Sequence, residues 1–185
     1  MDNKEMFEKG QELFARNKFD ESAEMFTKAM DEGYDPVIAH LSIGAAYLNN
    51  GKIDEAMHEF SQVVEIDKDN DRAYFYRGIA YMNKGDFPCA VADLSHSISL
   101  NGDRPLAFLA RGVARAEAGK DDEAVEDFKQ VAAYSEVERK SFENLFGSTM
   151  TSFDRTRALL EGERGPLSQV LKAEDLERLK MWLER

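Results

Sequence analysis

Apolar residues return along most of this chain at helical spacing, in blocks that are separated by short polar turns. Met6, Phe7, Leu13 and Phe14 form the first stripe and predict a helix from Asn3 to Arg16. A turn at Asn17-Lys18 leads to a second helix, from Asp20 to about Glu32. Gly33 ends it, because a glycine just past the last turn takes the left-handed cap without steric penalty. Asp35-Pro36 then opens the next helix, with an N-capping carboxylate followed by a proline whose missing N–H is no loss at the first helical position.

The same block recurs in register. Gly10, Gly44, Gly78 and Gly112 stand 34 residues apart. After each glycine comes a residue one turn on, Phe14, Tyr47, Tyr81 and Arg115. A second apolar set then follows: Ala23 and Phe26, Ala56 and Phe60, Ala90 and Leu94, Ala124 and Phe128. A fixed period of this length is the signature of a repeat architecture. In the second block Ile43, Gly44 and Tyr47 line one helix, and Ala56, Phe60 and Val63 face them from its partner. Small residues at Gly44 and Ala56 let the two axes come close. In the third block, from Arg72 to Leu100, Asp86 caps the second helix and Pro88 sits in its tolerant first turn. The fourth, from Arg104 to Tyr134, departs most. Arg115 replaces the aromatic residue, and Asp121 replaces the apolar residue seen as Phe19, Ile53 and Phe87.

This pattern resembles the tetratricopeptide repeat, a helix–turn–helix unit. The resemblance covers residues 4 to 135 and implies an all-α solenoid, a right-handed superhelix of antiparallel helix pairs. Four repeats would occupy residues 1–135 and a helical cap residues 136–185. Beyond Tyr134 the pattern fades. Ser135 and Glu138 form a capping box ahead of Val137, Phe142, Leu145 and Phe146, and Phe142 lies 34 residues after Phe108, as in the first helix of an incomplete fifth repeat. A further helix is expected over 152–160. The run GERGP, residues 162–166, breaks the pattern. A last helix starts near Ser168 or Lys172 and carries Leu176, Leu179, Trp182 and Leu183 on one stripe. That stripe needs cover, and the open end of the fourth repeat is its expected docking place, the groove of the repeats being the other.

In proteins of this family the first helix of each repeat lines the concave side, and the concave side binds peptides. The residues three before, one after and four after each glycine fall there: Phe7, Gln11 and Phe14; Leu41, Ala45 and Leu48; Phe75, Ile79 and Met82; Leu109, Val113 and Ala116. Nearly all are apolar, and an exposed apolar surface of this extent marks a binding site. The occupant is a peptide or amphipathic helix of another protein, this chain's own tail, or a second copy in a homo-oligomer, the remaining alternative being that these residues only pack one repeat against the next. Heat-shock co-chaperones of the family clamp a C-terminal carboxylate with Lys, Asn and Arg. The corresponding places here are Phe7, Gln11, Ser42, Arg72 and Tyr76, of which Arg72 alone keeps a charge, so that form of recognition is not expected. The chain also resembles in class, though not in motif, the three-repeat chaperones of type III secretion translocators. An adaptor is therefore the reading, with a secretion-type chaperone or a self-assembly module as alternatives.

Charge and chemistry narrow this further. The net charge is −12, and residues 1–135 hold 15 basic against 26 acidic side chains, a surface that repels nucleic acid. Cys89 is the single cysteine, which leaves no internal disulfide and no cysteine-based zinc cluster. His40, His58 and His96 fall at unrelated places in their repeats, without a metal-binding partner at helical spacing or a glycine-rich phosphate loop. The reading accordingly assigns no catalytic residue, no metal and no cofactor. No apolar run reaches the length of a membrane helix and the N-terminus lacks the pattern of a signal peptide, so the expected compartment is the cytoplasm.

Overall fold

The computed structural model describes residues 1–132, and all eight helices among them follow the 34-residue frame. They are α1 (Asn3–Ala15), α2 (Phe19–Asp31), α3 (Pro36–Asn49), α4 (Ile53–Ile66), α5 (Asp71–Asn83), α6 (Phe87–Leu100), α7 (Pro105–Glu117) and α8 (Asp121–Ala132). No strand occurs among the described residues. The expected fifth-repeat helix at Phe142, the helix over 152–160, the GERGP break, the final helix and the cap at 136–185 lie outside them.

Two compact units divide the chain, one ending at Gly85 and the other beginning at Asp86. In the first, each helix packs against its neighbours in sequence from α1 to α5, and α3 also touches α5. In the second, α7 packs against α6 on one side and α8 on the other.

The glycine frame has a direct physical cause. A methyl group on Gly10 would come within 2.5 Å of the Phe26 ring, and one on Gly44 within 2.5 Å of Phe60. On Gly112 it would come within 2.8 Å of Phe128. Each phenylalanine thus occupies the space its partner glycine leaves empty, and the three rings are buried to 2% exposure or less. Ser22, standing where the pattern prefers alanine, adds a buried hydrogen bond: its Oγ donates to the Gly10 carbonyl at 2.8 Å. The turns within repeats share a second frame. Gly51, Gly85 and Gly119 adopt positive φ, and Asn17 holds the same slot at φ 58°. The next residue closes each of three turns: the N–H groups of Lys18, Lys52 and Lys120 donate to carbonyls five residues back, at 2.8–3.0 Å. Asp2, Asp35, Asn70 and Asp86 cap α1, α3, α5 and α6 through their side chains.

Arg115, the departure in the fourth repeat, replaces an aromatic packing residue by charge. Its Nη1 donates to Asp127 at 2.7 Å, and its Nε lies 3.3 Å from the Glu123 carboxylate. Arg111 binds the same Asp127 through two nitrogens, at 3.0 and 2.7 Å. The carboxylate therefore accepts three bonds from two guanidinium groups while its side chain is 3% exposed.

Candidate functional site

Helix α3 shows how the expected binding face is built. Asp35 accepts from the Ile38 N–H at 3.0 Å, which sets the start of the helix and therefore its rotation. Ala39, Ile43, Gly44 and Ala46 then point into the repeat and are buried. Leu41, Ala45 and Leu48 are left on a separate stripe and remain partly exposed. Ile38, one turn earlier on the same stripe, is 44% exposed. The sequence reading missed it, although its position three residues before Leu41 is the signal that extends the stripe. Two polar neighbours turn back onto the helix. Ser42 Oγ donates to the Ile38 carbonyl and Asn49 Nδ2 to the Ala45 carbonyl, both at 2.8 Å. The one hydroxyl proton of Ser42 is used within its own helix, and Ser42 is no clamp residue in this arrangement.

The twelve expected positions do not share one environment. On α1, Gln11 is exposed, and Phe14 is partly exposed with its ring edge-on to Phe19 at 5.3 Å. Phe7 instead belongs to the core of the first unit: it is 6% exposed, stacked on Tyr34 at 4.2 Å and 4.9 Å from Phe26. On α5, Phe75, Ile79 and Met82 are 0–4% exposed, and on α7 Leu109, Val113 and Ala116 are 0% exposed. Arg72 stands exposed near the start of α5. Leu41, Ala45 and Leu48 are thus partly open to water, and Phe14 is alike in kind. Phe7, Phe75, Ile79, Met82, Leu109, Val113 and Ala116 depart from the expected open face, because their side chains are covered.

A polar series also runs through the repeats, and the apolar pattern hid it. Arg77 Nη1 donates to Ser61 Oγ at 3.3 Å, and Arg111 Nη1 to Ser95 Oγ at 3.2 Å. Both pairs are 16 residues apart and are themselves separated by the 34-residue period. Asp93, one period before Asp127, is buried as well, at 8% exposure. In the second repeat His40 Nδ1 and Glu59 Oε2 lie 2.7 Å apart, each side chain 16% exposed. The three pairs join side chains of successive helices, α4 with α5, α6 with α7 and α3 with α4. Among the described residues no set of three His, Cys, Asp or Glu side chains is placed to hold a metal ion, and no helix is long and apolar enough to cross a membrane.

Comparison with known proteins agrees with this architecture. Residues 44–85 match the TPR repeat family and residues 75–137 the tetratricopeptide repeat family. No curated protein matches the chain. Among solved structures, one of MamA is 18% identical, covers 95% of this chain and 92% of its own, and superposes with a TM-score of 0.65. MamA 41-end from Desulfovibrio magneticus RS-1 is also 18% identical, over 70% of this chain and 73% of its own, at 0.65. The first TPR of Spaghetti (RPAP3), bound to HSP90 peptide SRMEEVD, is 24% identical over 63% of this chain and 90% of its own, at 0.56. At these identities the likeness speaks for the fold.

Proposed function

We propose that this chain, which belongs to the tetratricopeptide repeat family over residues 44–137, is a non-enzymatic module that binds a peptide or amphipathic helix of another protein along α3, the first helix of its second repeat. Families of this kind generally mediate protein–protein interaction. The observation that carries the reading is the stripe of Ile38, Leu41, Ala45 and Leu48 on α3, apolar and partly open to water. Leaving such a row hydrated is unfavourable by roughly 25 cal/mol per Å² of apolar surface, so covering it favours binding. Peptide binding is seen on this fold in the Spaghetti relative. Here, of the five places of the charged clamp, Arg72 alone is cationic. The partner is therefore an apolar segment and is not held by a terminal carboxylate.

Co-purification from the native source with mass spectrometry names the partner, and substitution assigns the surface. Leu41→Glu and Leu48→Glu abolish capture with helix content kept, because each puts a charge on a hydrated surface. Ile66→Glu, at a site 52% exposed on the end of α4, leaves capture intact. Unfolding of both α3 variants makes their residues core and rejects the reading. Light scattering on the purified protein separates a foreign partner from a second copy.

A further inference from the structure

We propose that the partner of the α3 stripe is a helical segment, apolar along one face and cationic at one end, whose cationic end lies over the turn from α2 into α3. This inference rests on the reading of α3 as a binding surface. It adds the charge and the direction of what binds there.

The stripe itself carries nothing that selects a ligand by charge. From Pro36 to Asn49 the helix has no Asp, Glu, Lys or Arg, and Ile38, Leu41, Ala45 and Leu48 extend along about 15 Å of it. Electrostatic selection is therefore left to the two ends, and these differ. At the Leu48 end stand Asn49 and Asn50, and the lysine that follows, Lys52, is taken up by Asp20 at 2.8 Å. At the Ile38 end stand Asp31, Glu32 and Asp35, all exposed. Asp35 touches the stripe itself, because its carboxylate accepts from the Ile38 N–H. Among the described residues none of these three carboxylates has an ion-pair partner. Cations on the neighbouring helices are engaged elsewhere. Lys28 pairs with Glu24 at 2.6 Å and Lys4 with Glu8 at 3.9 Å. The terminal amine, on the stretch that Asn3 ties to the Glu32 carbonyl, lies 4.0 Å from Glu5.

Asp31 and Glu32 also work against their own helix. They are the last residue and the C-cap of α2, where the partial negative charge of the helix end disfavours a carboxylate and favours a cation. The repeat does not require acid there. One and two periods after Glu32 the same position holds Ile66 and Leu100, 52% and 36% exposed. Negative potential is thus gathered at one end of an apolar row. The rest of the first unit does not cancel it, since residues 1–85 hold 10 basic against 17 acidic side chains, a net of −7. A second copy of this chain, at −12, adds to that potential, and an uncharged helix leaves it as it is. Lysines or arginines at one end of the ligand relieve it, fix the direction of binding and speed the encounter.

Fluorescence anisotropy with two synthetic peptides tests this on the full-length protein. Both carry leucines on one face at helical spacing; one ends in a run of lysines and the other in a run of glutamates. The lysine peptide binds about tenfold more tightly at low salt, the combined effect of several exposed charge pairs, and the difference shrinks in 1 M salt. Asp31→Lys with Glu32→Lys removes the preference without lowering the melting temperature, because cations suit the C-terminal end of α2. Glu24→Lys with Glu55→Lys makes the same change in net charge on exposed positions away from the turn, and keeps most of the preference. Leu41→Glu abolishes binding of both peptides. Equal binding of the two peptides, lost with Leu41→Glu, leaves the α3 surface standing and overturns this inference. A preference that both pairs of reversals remove alike assigns it to net charge and overturns it too. No binding, or binding that Leu41→Glu does not touch, overturns the α3 reading and this inference with it. Peptide binding that strengthens as the protein is diluted gives the stripe to a second copy and likewise overturns it.

Discussion

Helices α3 and α7 hold the same place two repeats apart, begin alike with proline and carry the same glycine frame, yet they live in different surroundings. The glycines Gly44 and Gly112 face Phe60 and Phe128 in the same way. The faces away from those rings differ. On α3 the stripe is partly open and the nearby polar pair, His40 with Glu59, is partly buried. On α7 the stripe is closed, and the polar contact has become a carboxylate enclosed by two guanidinium groups. The repeat fixes how two helices meet, while the second layer of contacts differs from repeat to repeat. One stripe is left partly open to water, and the other is closed.

The sharpest break of this comparison is at the charge clusters. Removing one partner of a buried ion pair leaves the other charge uncompensated, at about 3–5 kcal/mol. Asp127→Ala strands both Arg111 and Arg115 and lowers stability by that amount in denaturant titration. Glu59→Gln keeps a hydrogen-bond acceptor for His40 and lowers it by about 1 kcal/mol. Equal losses would mean that the two clusters do the same work and that α7 is no more enclosed than α3.

Next in size is the stripe itself. Leu109 is fully buried, so Leu109→Ala removes packed methyl groups and leaves a cavity, at about 2–5 kcal/mol. Leu41→Ala, at the same position on α3, starts from a side chain already in contact with water and lowers stability by about 1 kcal/mol. Thermal or urea unfolding of the two variants side by side checks the ratio. A Leu109→Ala effect as small as that of Leu41→Ala removes the ground for calling the α7 face covered.

What could be read from the residues, and what could not, divides along the same line. The glycine period named both the fold and the facing phenylalanines, because close approach of two helices leaves a residue-type signature at Gly10, Gly44 and Gly112. The left-handed slot was equally legible. Gly51, Gly85 and Gly119 mark it, and Asn17 fills it in the first repeat, a residue that tolerates positive φ better than most. The series of Ser61 and Ser95, Arg77 and Arg111, and Asp93 and Asp127 follows the same period. A search for apolar spacing passes over it, and so Arg115 read as a defect in packing when it completes a charge cluster. The split between the α3 and α7 faces was not legible at all. Leu41, Ala45 and Leu48 differ little from Leu109, Val113 and Ala116 in character, and burial depends on what lies over a helix. Phe7 shows the same limit: Tyr34, from the following turn, takes it into the core.

The smallest effect belongs to the surface that fastens the first unit. Asp20 Oδ1 accepts from Asn50 Nδ2 and from Lys52 Nζ, both at 2.8 Å, joining α2 to the turn after α3. One period on, Asp54 Oδ1 accepts from Lys84 Nζ at 2.6 Å. One period further, Pro88 stands in place of the aspartate, and the series stops where the second unit begins. The first unit thus relies on exposed charge where the second relies on buried charge. The hydrogen bond from Lys52, aided by its positive charge and by the bond from Asn50, holds the Asp20 carboxyl below the usual carboxylate range, against the opposing effect of desolvation. Because the folded value lies below the unfolded one, the contribution is complete above about pH 4 and disappears as pH falls through the lowered value. Asp20→Asn therefore unfolds slightly earlier than the parent at pH 7. The gap narrows as the pH drops below about 4, and 1 M salt shrinks it at neutral pH because the pair is exposed. A gap that is constant with pH removes the bonds of the Asp20 carboxylate from the account of how the first unit is held.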